Sequence, residues 1–252
     1  MKRLLFTFVC GMVLLAQPAA AKSLVEKARD ATAMLYSQTT GGGMRMHCTA
    51  TVFEEFERDD RKGYLLATAA HCVAVDDLVN SWVRISGASF FISFDEAISS
   101  ENKDGQKVFH PVHVEAAGFQ SRGDDFAVLH AYTSDEWDML ELGDVSSLEP
   151  MDEVLNVSAP AGLGLQVLKG YISLVSIDRP VKVRGLNWQY AMLVNLGSGP
   201  GASGSAVVSI EQEKIIGFVV GNIIGNPTTV VLPVSRFALF IQMARLGQYA
   251  WF

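Results

Sequence analysis

The segment YLLATAAHC at residues 64–72 carries the histidine from which the rest of the chain can be interpreted. Its apolar residues predict a strand, and the histidine stands where that strand ends. A histidine in this place is held rigidly at the edge of a domain, and imidazole titrates near neutral pH, as a general base must. We therefore predict that His71 has a catalytic role.

Two cysteines are associated with this segment. Cys72 directly follows the histidine, and Cys48 opens the segment CTATVF at residues 48–53. The third cysteine, Cys10, lies in an N-terminal segment that we expect to be removed. An even number of cysteines in the remaining chain is typical of an oxidising compartment. We expect a Cys48–Cys72 disulfide that restrains the loop carrying His71.

The N-terminus has the pattern of a secretory signal peptide. Lys2 and Arg3 precede an apolar run over residues 4–15, and three alanines end the segment at Ala21. A positive start, a short apolar run and an Ala-x-Ala end are the features of such signals. The run is shorter than the roughly 20 apolar residues that span a bilayer. We predict removal of residues 1–21 and an exported protein, periplasmic or secreted, without stable membrane insertion after cleavage.

Composition and charge favour a folded, acidic protein. Of the 252 residues, 49% are hydrophobic and 19% are charged, which is ordinary for a globular chain. The formal net charge is −7, with 27 acidic and 20 basic side chains. An acidic surface argues against nucleic-acid binding. The sequence gives no indication of the oligomeric state.

No cofactor and no metal site are predicted. The glycines at residues 41–43 are followed neither by a helix nor by the lysine of a phosphate-binding loop. His110 and His113 have no cysteine or acidic pair nearby at the spacing of a metal site.

The order of local patterns predicts an all-β fold. From Met34 onward, short β-rich runs alternate with turns, which is typical of a sandwich or a barrel. Residues 134–150 are acidic and less β-like, so we interpret them as the connection between two β units. Residues 22–33 favour a short helix or an extended arm. Apolar residues at nearly helical spacing over residues 235–246 predict a helix packed on the body.

A glycine-rich segment, GPGASGSAV at residues 199–207, supplies a candidate nucleophile. Glycines on both sides of Ser203 allow a tight turn that exposes the hydroxyl and lets backbone N–H groups face one point. Such N–H groups stabilise the oxyanion of an acyl-transfer reaction. Ser205 is a weaker alternative because it lacks the Gly-x-Ser-Gly setting.

A carboxylate opens the buried run DDFAVL at residues 124–129 and is placed to orient the histidine. Both Asp124 and Asp125 are candidates for this role. We favour Asp125 because it directly precedes the apolar run FAVL.

The three segments TAAHC, DFAVL and GASGSAV, in this order, resemble the signature segments of the trypsin-like serine proteases. This resemblance covers most of the chain. It implies an all-β fold of two antiparallel six-stranded β-barrels with the active site between them, plus a C-terminal helix.

The resemblance also assigns the parts of the chain. Residues 22–133 are expected to form the N-terminal barrel, residues 134–150 the linker, and residues 151–252 the C-terminal barrel with its terminal helix. The first barrel then carries the histidine and aspartate segments, and the second carries the serine segment.

The resemblance implies that His71, Asp125 and Ser203 form a catalytic triad. Ser203 attacks a peptide carbonyl while His71 takes its proton, and Asp125 fixes the tautomer of the imidazole. The N–H groups of Gly201 and Ser203 form the oxyanion hole. The implied function is an exported serine endopeptidase that acts on protein or peptide substrates through an acyl-enzyme on Ser203.

Ala202 departs from the family pattern. Trypsin-like zymogens carry at this position an aspartate that pairs with a newly cut N-terminus. The sequence also lacks the usual Ile-Val-Gly-Gly activation site. The chain therefore resembles a bacterial member that needs no activation cut.

The substrate-binding residues that the resemblance implies are Gly197, Val219, Val220, Gly221 and Asn222. Gly197 stands where trypsin carries an acidic residue, so a lysine or arginine in this pocket would be a buried cation without a partner. We predict cleavage after Ala, Val, Leu or Phe. Val220 replaces the usual serine and removes one hydrogen bond that supports the aspartate.

Two other functions remain open on the sequence alone. One is a catalytically inactive protein of the protease fold that uses the cleft for binding, which Ala202 and Val220 leave open. The other is an exported esterase with the same serine chemistry. The nucleophile of such esterases usually sits in an α/β sheet, and this chain lacks alternating helices.

Overall fold

The computed structural model describes residues 21–38, 42–76, 82–84, 89–95, 108–179, 181–183 and 186–248. Within these ranges the chain forms sixteen strands and two α-helices. Neither of these helices is long and apolar enough to cross a membrane. Apart from Ala21, the predicted signal peptide lies outside the described residues.

The helices and strands follow one another in the order α1 (Leu24–Asp30), β1 (Thr32–Gln38), β2 (Met44–Arg58), β3 (Arg61–Thr68), β4 (Ala74–Asp76), β5 (Trp82–Arg84), β6 (Phe90–Phe94), β7 (His110–Ala117), β8 (Ala127–Tyr132), β9 (Glu153–Ser158), β10 (Gln166–Leu174), β11 (Lys182–Val183), β12 (Leu186–Asn187), β13 (Met192–Asn195), β14 (Ala206–Ser209), β15 (Lys214–Asn222), β16 (Thr228–Pro233) and α2 (Val234–Arg245). Short 3₁₀ turns occur at Ala70–Cys72, Gln120–Arg122 and Pro160–Gly162.

Two closed antiparallel barrels make up the fold. The first has the strand order β1-β2-β3-β8-β7-β6, and the second has the order β10-β13-β16-β15-β14-β9. The helix predicted over residues 235–246 forms as α2. The expected all-β fold of two six-stranded barrels with a C-terminal helix is therefore confirmed. Two small sheets, β4-β5 and β11-β12, are separate from the barrels.

The residues before the first barrel form helix α1, one of the two alternatives that the sequence left open. The N–H of Glu26 donates to Ser23 Oγ at 3.3 Å, and the carboxylate of Glu26 accepts from the Ser23 N–H at 2.8 Å. This reciprocal capping box satisfies backbone groups that the first turn of a helix leaves without partners.

The described chain between β8 and β9 contains no helix and no regular strand. Leu142 of this connection forms an isolated parallel bridge with Ile215 of β15. The connection is thereby fixed along the second barrel.

Strand register explains how the histidine and aspartate segments meet. Strands β3 and β8 pair in antiparallel fashion, with Thr68 opposite Ala127. Because β3 ends at Thr68 and β8 begins at Ala127, the residues after one strand and before the other lie at the same edge of the barrel. His71 and Asp125 occupy these two positions.

Aromatic side chains fill the space where α2 meets both barrels. Phe126 of the first barrel and Phe218 of the second both contact Phe237 of α2, with ring centroids 5.3 and 4.7 Å apart. All three rings are fully buried. Because Phe126 directly follows Asp125, this close packing restrains the aspartate segment.

Candidate active site

The imidazole of His71 and the carboxylate of Asp125 are joined by a hydrogen bond. His71 lies in the turn Ala70–Cys72 after β3, and its Nδ1 is 2.8 Å from Asp125 Oδ2. The backbone N–H of His71 also donates to Asp125 Oδ1, at 3.0 Å. An ionised carboxylate only accepts hydrogen bonds, so Nδ1 carries the hydrogen and Nε2 of the neutral ring accepts a proton. This is the tautomer that a general base in a triad requires.

Asp124 lies beside this pair but contacts a different group. Its Oδ1 is 2.7 Å from Nη2 of Arg236, which belongs to α2. Asp125, in contrast, is 3% exposed and faces the imidazole. Of the two neighbouring aspartates, Asp125 therefore contacts His71 and Asp124 fastens α2 to the first barrel.

Gln120 belongs to the same hydrogen-bond network, although the sequence analysis did not single it out. Its Nε2 donates to Asp125 Oδ2 at 2.8 Å and lies 3.2 Å from His71 Nδ1. Val220 has no hydroxyl to offer the carboxylate, and Gln120 supplies a donor from the turn Gln120–Arg122. The only signal in the sequence was an amide side chain shortly before the aspartate, and that signal does not reveal where the amide points.

Burial and charge act in opposite directions on His71. Burial of the ring disfavours its protonated form, whereas the negative charge of Asp125 and the hydrogen bond to it favour that form. The net result is a pKa of His71 above its ordinary value of 6.5. The ring accepts a proton more readily than a free imidazole does, which suits a general base.

Ser203 lies between β13 and β14 in a segment that we call the serine loop, residues 197–205. The carbonyl of Pro200 accepts from the Ala161 N–H at 2.6 Å, and the carbonyl of Ala202 accepts from the Ser205 N–H at 3.1 Å. The described chain has no cis peptide bond, and in a trans peptide the N–H points opposite to the carbonyl. The two N–H groups expected to form the oxyanion hole therefore face away from these partners. Within the described ranges, neither donates to another protein group.

Two glycines make this loop sterically possible. Gly201 has a φ of +97°, and a Cβ there would lie 2.6 Å from the carbonyl oxygen of Ala159. Gly204 has a φ of +86°, and a Cβ there would collide with the carbonyl oxygen of Thr49. Both the left-handed backbone and the lack of space require glycine. Packing against β2 and the turn after β9 thus explains the Gly-x-Ser-Gly pattern.

The hydroxyl of Ser205 is engaged inside the protein. Ser205 is fully buried, and its hydroxyl donates to the Ala202 carbonyl at 2.6 Å. The same hydroxyl accepts from Asn156 Nδ2 at 2.9 Å. Ser203 is partly exposed. Of the two candidate serines, Ser203 is therefore the accessible one.

Contacts across the cleft bring the serine loop to the histidine segment. Cys48 and Cys72 form the expected disulfide. The N–H of Thr49 donates to the Ser203 carbonyl at 2.9 Å, and Cys72 Sγ lies 3.9 Å from the same oxygen. Among the described residues, no hydrogen bond joins the Ser203 hydroxyl to His71. Such bonds are often long in a free enzyme and shorten when substrate binds.

The end of β15 carries four of the predicted substrate-binding residues, Val219, Val220, Gly221 and Asn222. The N–H of Gly204 donates to the Val219 carbonyl at 2.7 Å, so this strand end runs beside the serine loop. Gly197 begins the loop, and a Cβ at that position would meet no atom within 4 Å. Asn222 Nδ2 connects the strand to the loop through a hydrogen bond to the Ser198 carbonyl at 3.2 Å.

A cavity of about 1210 Å³ opens beside this strand end. It borders Gly221 and Asn222, and its other lining residues are mostly apolar. The apolar lining residues are Leu174, Ile177, Val181, Trp188, Leu193, Ile223 and Ile224.

A cluster of possible metal ligands coincides with the disulfide. Ligand atoms of Cys48, His71 and Cys72 lie within 4.8 Å of one another. Both sulfurs are consumed by the disulfide bond, so neither is the thiolate that binds a metal.

Comparison with known proteins places this geometry in a family. Residues 48–218, more than half of the chain, match the family described as trypsin-like peptidase domain. The chain belongs to the trypsin-like peptidases. The resemblance to trypsin-like serine proteases is thereby confirmed.

Solved structures of HtrA-type proteases have the same fold as this peptidase. The protease AlgW with a tripeptide matches with a TM-score of 0.63 and 18% identity, covering 87% of this chain and 62% of that one. AlgW with a decapeptide matches with a TM-score of 0.65 and 16% identity, covering 87% and 66%. At such identities the likeness concerns the fold alone, and this peptidase spans less than two thirds of the length of those chains. No curated protein matches the sequence significantly.

Asp125→Asn is expected to lower kcat by on the order of 10⁴, as the same change does in a chymotrypsin-type triad. An amide in place of the carboxylate favours the wrong imidazole tautomer and leaves the imidazolium without its counter-charge. Asp124→Asn is the matched control, because it removes the charge that pairs with Arg236 and should retain turnover of the wild-type order. Steady-state hydrolysis of a peptide substrate by both purified variants decides the matter. A larger loss of kcat in Asp124→Asn than in Asp125→Asn would assign the role in the triad to Asp124.

The raised pKa of His71 predicts a pH dependence of kcat/KM. The ring acts as a base only when neutral, so activity falls as pH drops through that pKa, and the midpoint lies above 6.5. Gln120→Met removes one donor from Asp125, leaves more negative charge for the imidazolium, and moves the midpoint to higher pH. Gln212→Met, which removes two exposed hydrogen bonds between the Gln212 amide and the Asp144 backbone, is the control. An unchanged or lower midpoint in Gln120→Met would contradict this role of Gln120.

Proposed function

We propose that this trypsin-like peptidase is an exported serine endopeptidase that hydrolyses peptide bonds through an acyl-enzyme on Ser203. One observation carries the proposal. Asp125 accepts from both the backbone and the ring of His71, which leaves Nε2 as the nitrogen that can accept a proton. A buried carboxylate that fixes the tautomer of a partly exposed histidine marks a candidate functional site.

The arrangement supports acyl transfer in two steps. Ser203 Oγ attacks the substrate carbonyl carbon while His71 Nε2 takes the hydroxyl proton. The negative charge that develops on the carbonyl oxygen is received by the N–H groups of Gly201 and Ser203. His71 then gives its proton to the leaving amine, and the ester on Ser203 remains. Water, deprotonated by His71, hydrolyses this ester and restores the serine.

The serine loop is ordered in this chain without an activation ion pair. Ala202 stands at the position of the zymogen aspartate and is fully buried in an apolar cluster. A charged partner is not needed to hold the loop, since the carbonyl groups of Pro200, Ala202 and Ser203 are bonded to backbone N–H groups and that of Gly201 to the Thr49 hydroxyl. We infer that the peptidase is active without cleavage at a new N-terminus.

Export and domain organisation belong to the same proposal. The signal pattern of residues 1–21 and the Cys48–Cys72 disulfide both fit an oxidising compartment, periplasmic or extracellular. Residues 22–133 and 151–252 act as the two halves of the catalytic cleft, with residues 134–150 as the linker. AlgW has been solved with bound peptides, and we propose protein or peptide substrates for this chain.

A second candidate function is a binding protein of the protease fold without catalysis. The observation in its favour is that no hydrogen bond joins the Ser203 hydroxyl to His71 among the described residues. The two candidates differ in the reactivity of that hydroxyl, so a covalent probe separates them.

Ser203→Ala is expected to abolish labelling of the protein by a fluorophosphonate, which reacts only with an activated serine. Ser205→Ala should still be labelled, because the Ser205 hydroxyl is buried and engaged. Labelling is measured by intact-protein mass spectrometry, and a peptide-library digest then separates protease from esterase. A wild-type protein that neither reacts nor hydrolyses peptides would favour the binding protein. Labelling lost only in Ser205→Ala would identify Ser205 as the nucleophile.

The geometry also supports a preference for small or medium apolar side chains at the cleaved bond. Ser198 and Thr229 are buried, and their hydroxyls bond to each other at 2.8 Å. Asn222 crosses from the opposite wall to the Ser198 carbonyl and narrows the entrance. None of these three residues carries a carboxylate, so they offer a lysine or arginine no counter-charge.

Asn222→Ala is expected to widen the entrance and raise kcat/KM for a substrate with Phe before the cleaved bond, relative to one with Ala, by roughly tenfold. Leu246→Ala is the control, since Leu246 is 69% exposed at the end of α2, does not line the cavity beside β15, and should leave this ratio unchanged. The products of a mixed peptide digest, identified by mass spectrometry, report the wild-type preference. Dominant cleavage after lysine or arginine would contradict the assignment of Gly197 to the pocket.

A further inference from the structure

The hydroxyl of Thr49 is one of the groups that connect the first barrel to the serine loop. Thr49 of β2 is fully buried. Its Oγ1 donates to the carbonyl oxygen of Gly201 at 2.8 Å and accepts from the N–H of Ala159 at 3.2 Å. A threonine hydroxyl has one hydrogen to donate and lone pairs to accept, so both roles are filled at once.

The backbone of Thr49 is itself fixed. Its N–H donates to the Ser203 carbonyl at 2.9 Å. Its carbonyl accepts from Thr68 Oγ1 at 2.8 Å. The hydroxyl therefore projects from a rigid strand, and it needs no rearrangement to hold the loop.

Gly201 needs such restraint because its backbone is unusually free. Without a Cβ, glycine rotates about φ and ψ over a wide range. The peptide before Gly201 is held through the Pro200 carbonyl by Ala161, and the peptide after it is held through the Gly201 carbonyl by Thr49. Thr49 acts on the first peptide as well, because it also binds Ala159 in the turn that contains Ala161.

The restraint matters because the N–H of Gly201 belongs to one of these peptides. If that peptide rotates, the N–H leaves the oxyanion hole and a carbonyl approaches it. Ala202 is uncharged and lies in an apolar cluster, so it forms no ion pair that would hold the loop. Among the described residues, the side chain that bonds to the Gly201 backbone is Thr49, whose hydroxyl donates to the Gly201 carbonyl from the opposite barrel.

We propose that Thr49 is a positioning residue for the oxyanion hole, which it orders from the first barrel in place of an activation ion pair. This inference rests on the proposed function, since it assigns a role within that site. Oxyanion contacts are stronger in the transition state than in the bound substrate. Loss of the hydroxyl therefore lowers kcat with little change in KM.

Three variants test the proposal. Thr49→Val keeps the shape of the side chain and removes the hydroxyl, and Thr49→Ser keeps the hydroxyl. Thr51→Val is the matched control, because Thr51 is equally buried on the same strand and its Oγ1 accepts from the Ala206 N–H at 3.1 Å. Thr51 thus makes a comparable hydrogen bond between the barrels, but it does not bond to the Gly201 backbone.

Thr49→Val is expected to lower kcat by about tenfold to a hundredfold, below the loss of a whole oxyanion donor. KM should stay within roughly a factor of two, as expected when only the transition state is affected. A peptide aldehyde, whose adduct with the serine carries the oxyanion, should lose affinity by the same factor as kcat. Thr49→Ser should keep most of the wild-type kcat and most of the affinity for the aldehyde. Thr51→Val should retain kcat, although the protein should unfold at a lower denaturant concentration.

Amide hydrogen exchange of residues 199–204, followed by mass spectrometry, reports the loop without any need for activity. Exchange should be faster in Thr49→Val than in the wild type and unchanged in Thr51→Val. Unchanged kcat, aldehyde affinity and exchange in Thr49→Val would overturn the proposal, and so would equal effects in Thr51→Val. If the wild type neither hydrolyses peptides nor reacts with a fluorophosphonate, the proposed function fails, and the exchange rates still decide whether Thr49 orders the loop.

Discussion

Strand β2 makes the contacts that hold the two barrels in register, and the arrangement of the cleft depends on them. The N–H of Thr49 donates to the Ser203 carbonyl, and its hydroxyl donates to the Gly201 carbonyl and accepts from the Ala159 N–H. The histidine and aspartate belong to one barrel and the serine to the other, so a small shift between barrels would separate them. Hydrogen bonds in a buried seam resist such a shift, because breaking them leaves polar groups without partners.

A buried negative charge imposes the second constraint. Asp125 is almost fully buried, and a carboxylate in that environment is stable only when donors surround it. The donors are the backbone and ring of His71 and the amide of Gln120. The charge of Asp125 and its hydrogen bond to the ring orient the imidazole and raise the pKa of His71, so one electrostatic requirement serves both folding and the proposed chemistry.

Much of the fold was predictable because its signals are local. Short β-rich runs indicated an all-β chain, and the order of three short motifs, by resemblance, indicated two barrels. Even the approach of His71 to Asp125 follows from one register, Thr68 opposite Ala127, once β3 and β8 are known to pair. The choice between helix and arm for residues 22–33 was open, because a capping box in seven helical residues is a weak signal beside tertiary packing.

The sequence by itself determined the candidate catalytic residues, since His71, Ser203 and the glycines around it stand in motifs whose spacing is local. Only the tertiary structure decided between Asp124 and Asp125, because the two are adjacent and the difference lies in their partners, Arg236 and His71. Gln120 and Thr49 are likewise defined by the groups they reach, Asp125 and Gly201. Side-chain direction and distant partners are set by how the strands pack, and that information is absent from any short stretch of sequence.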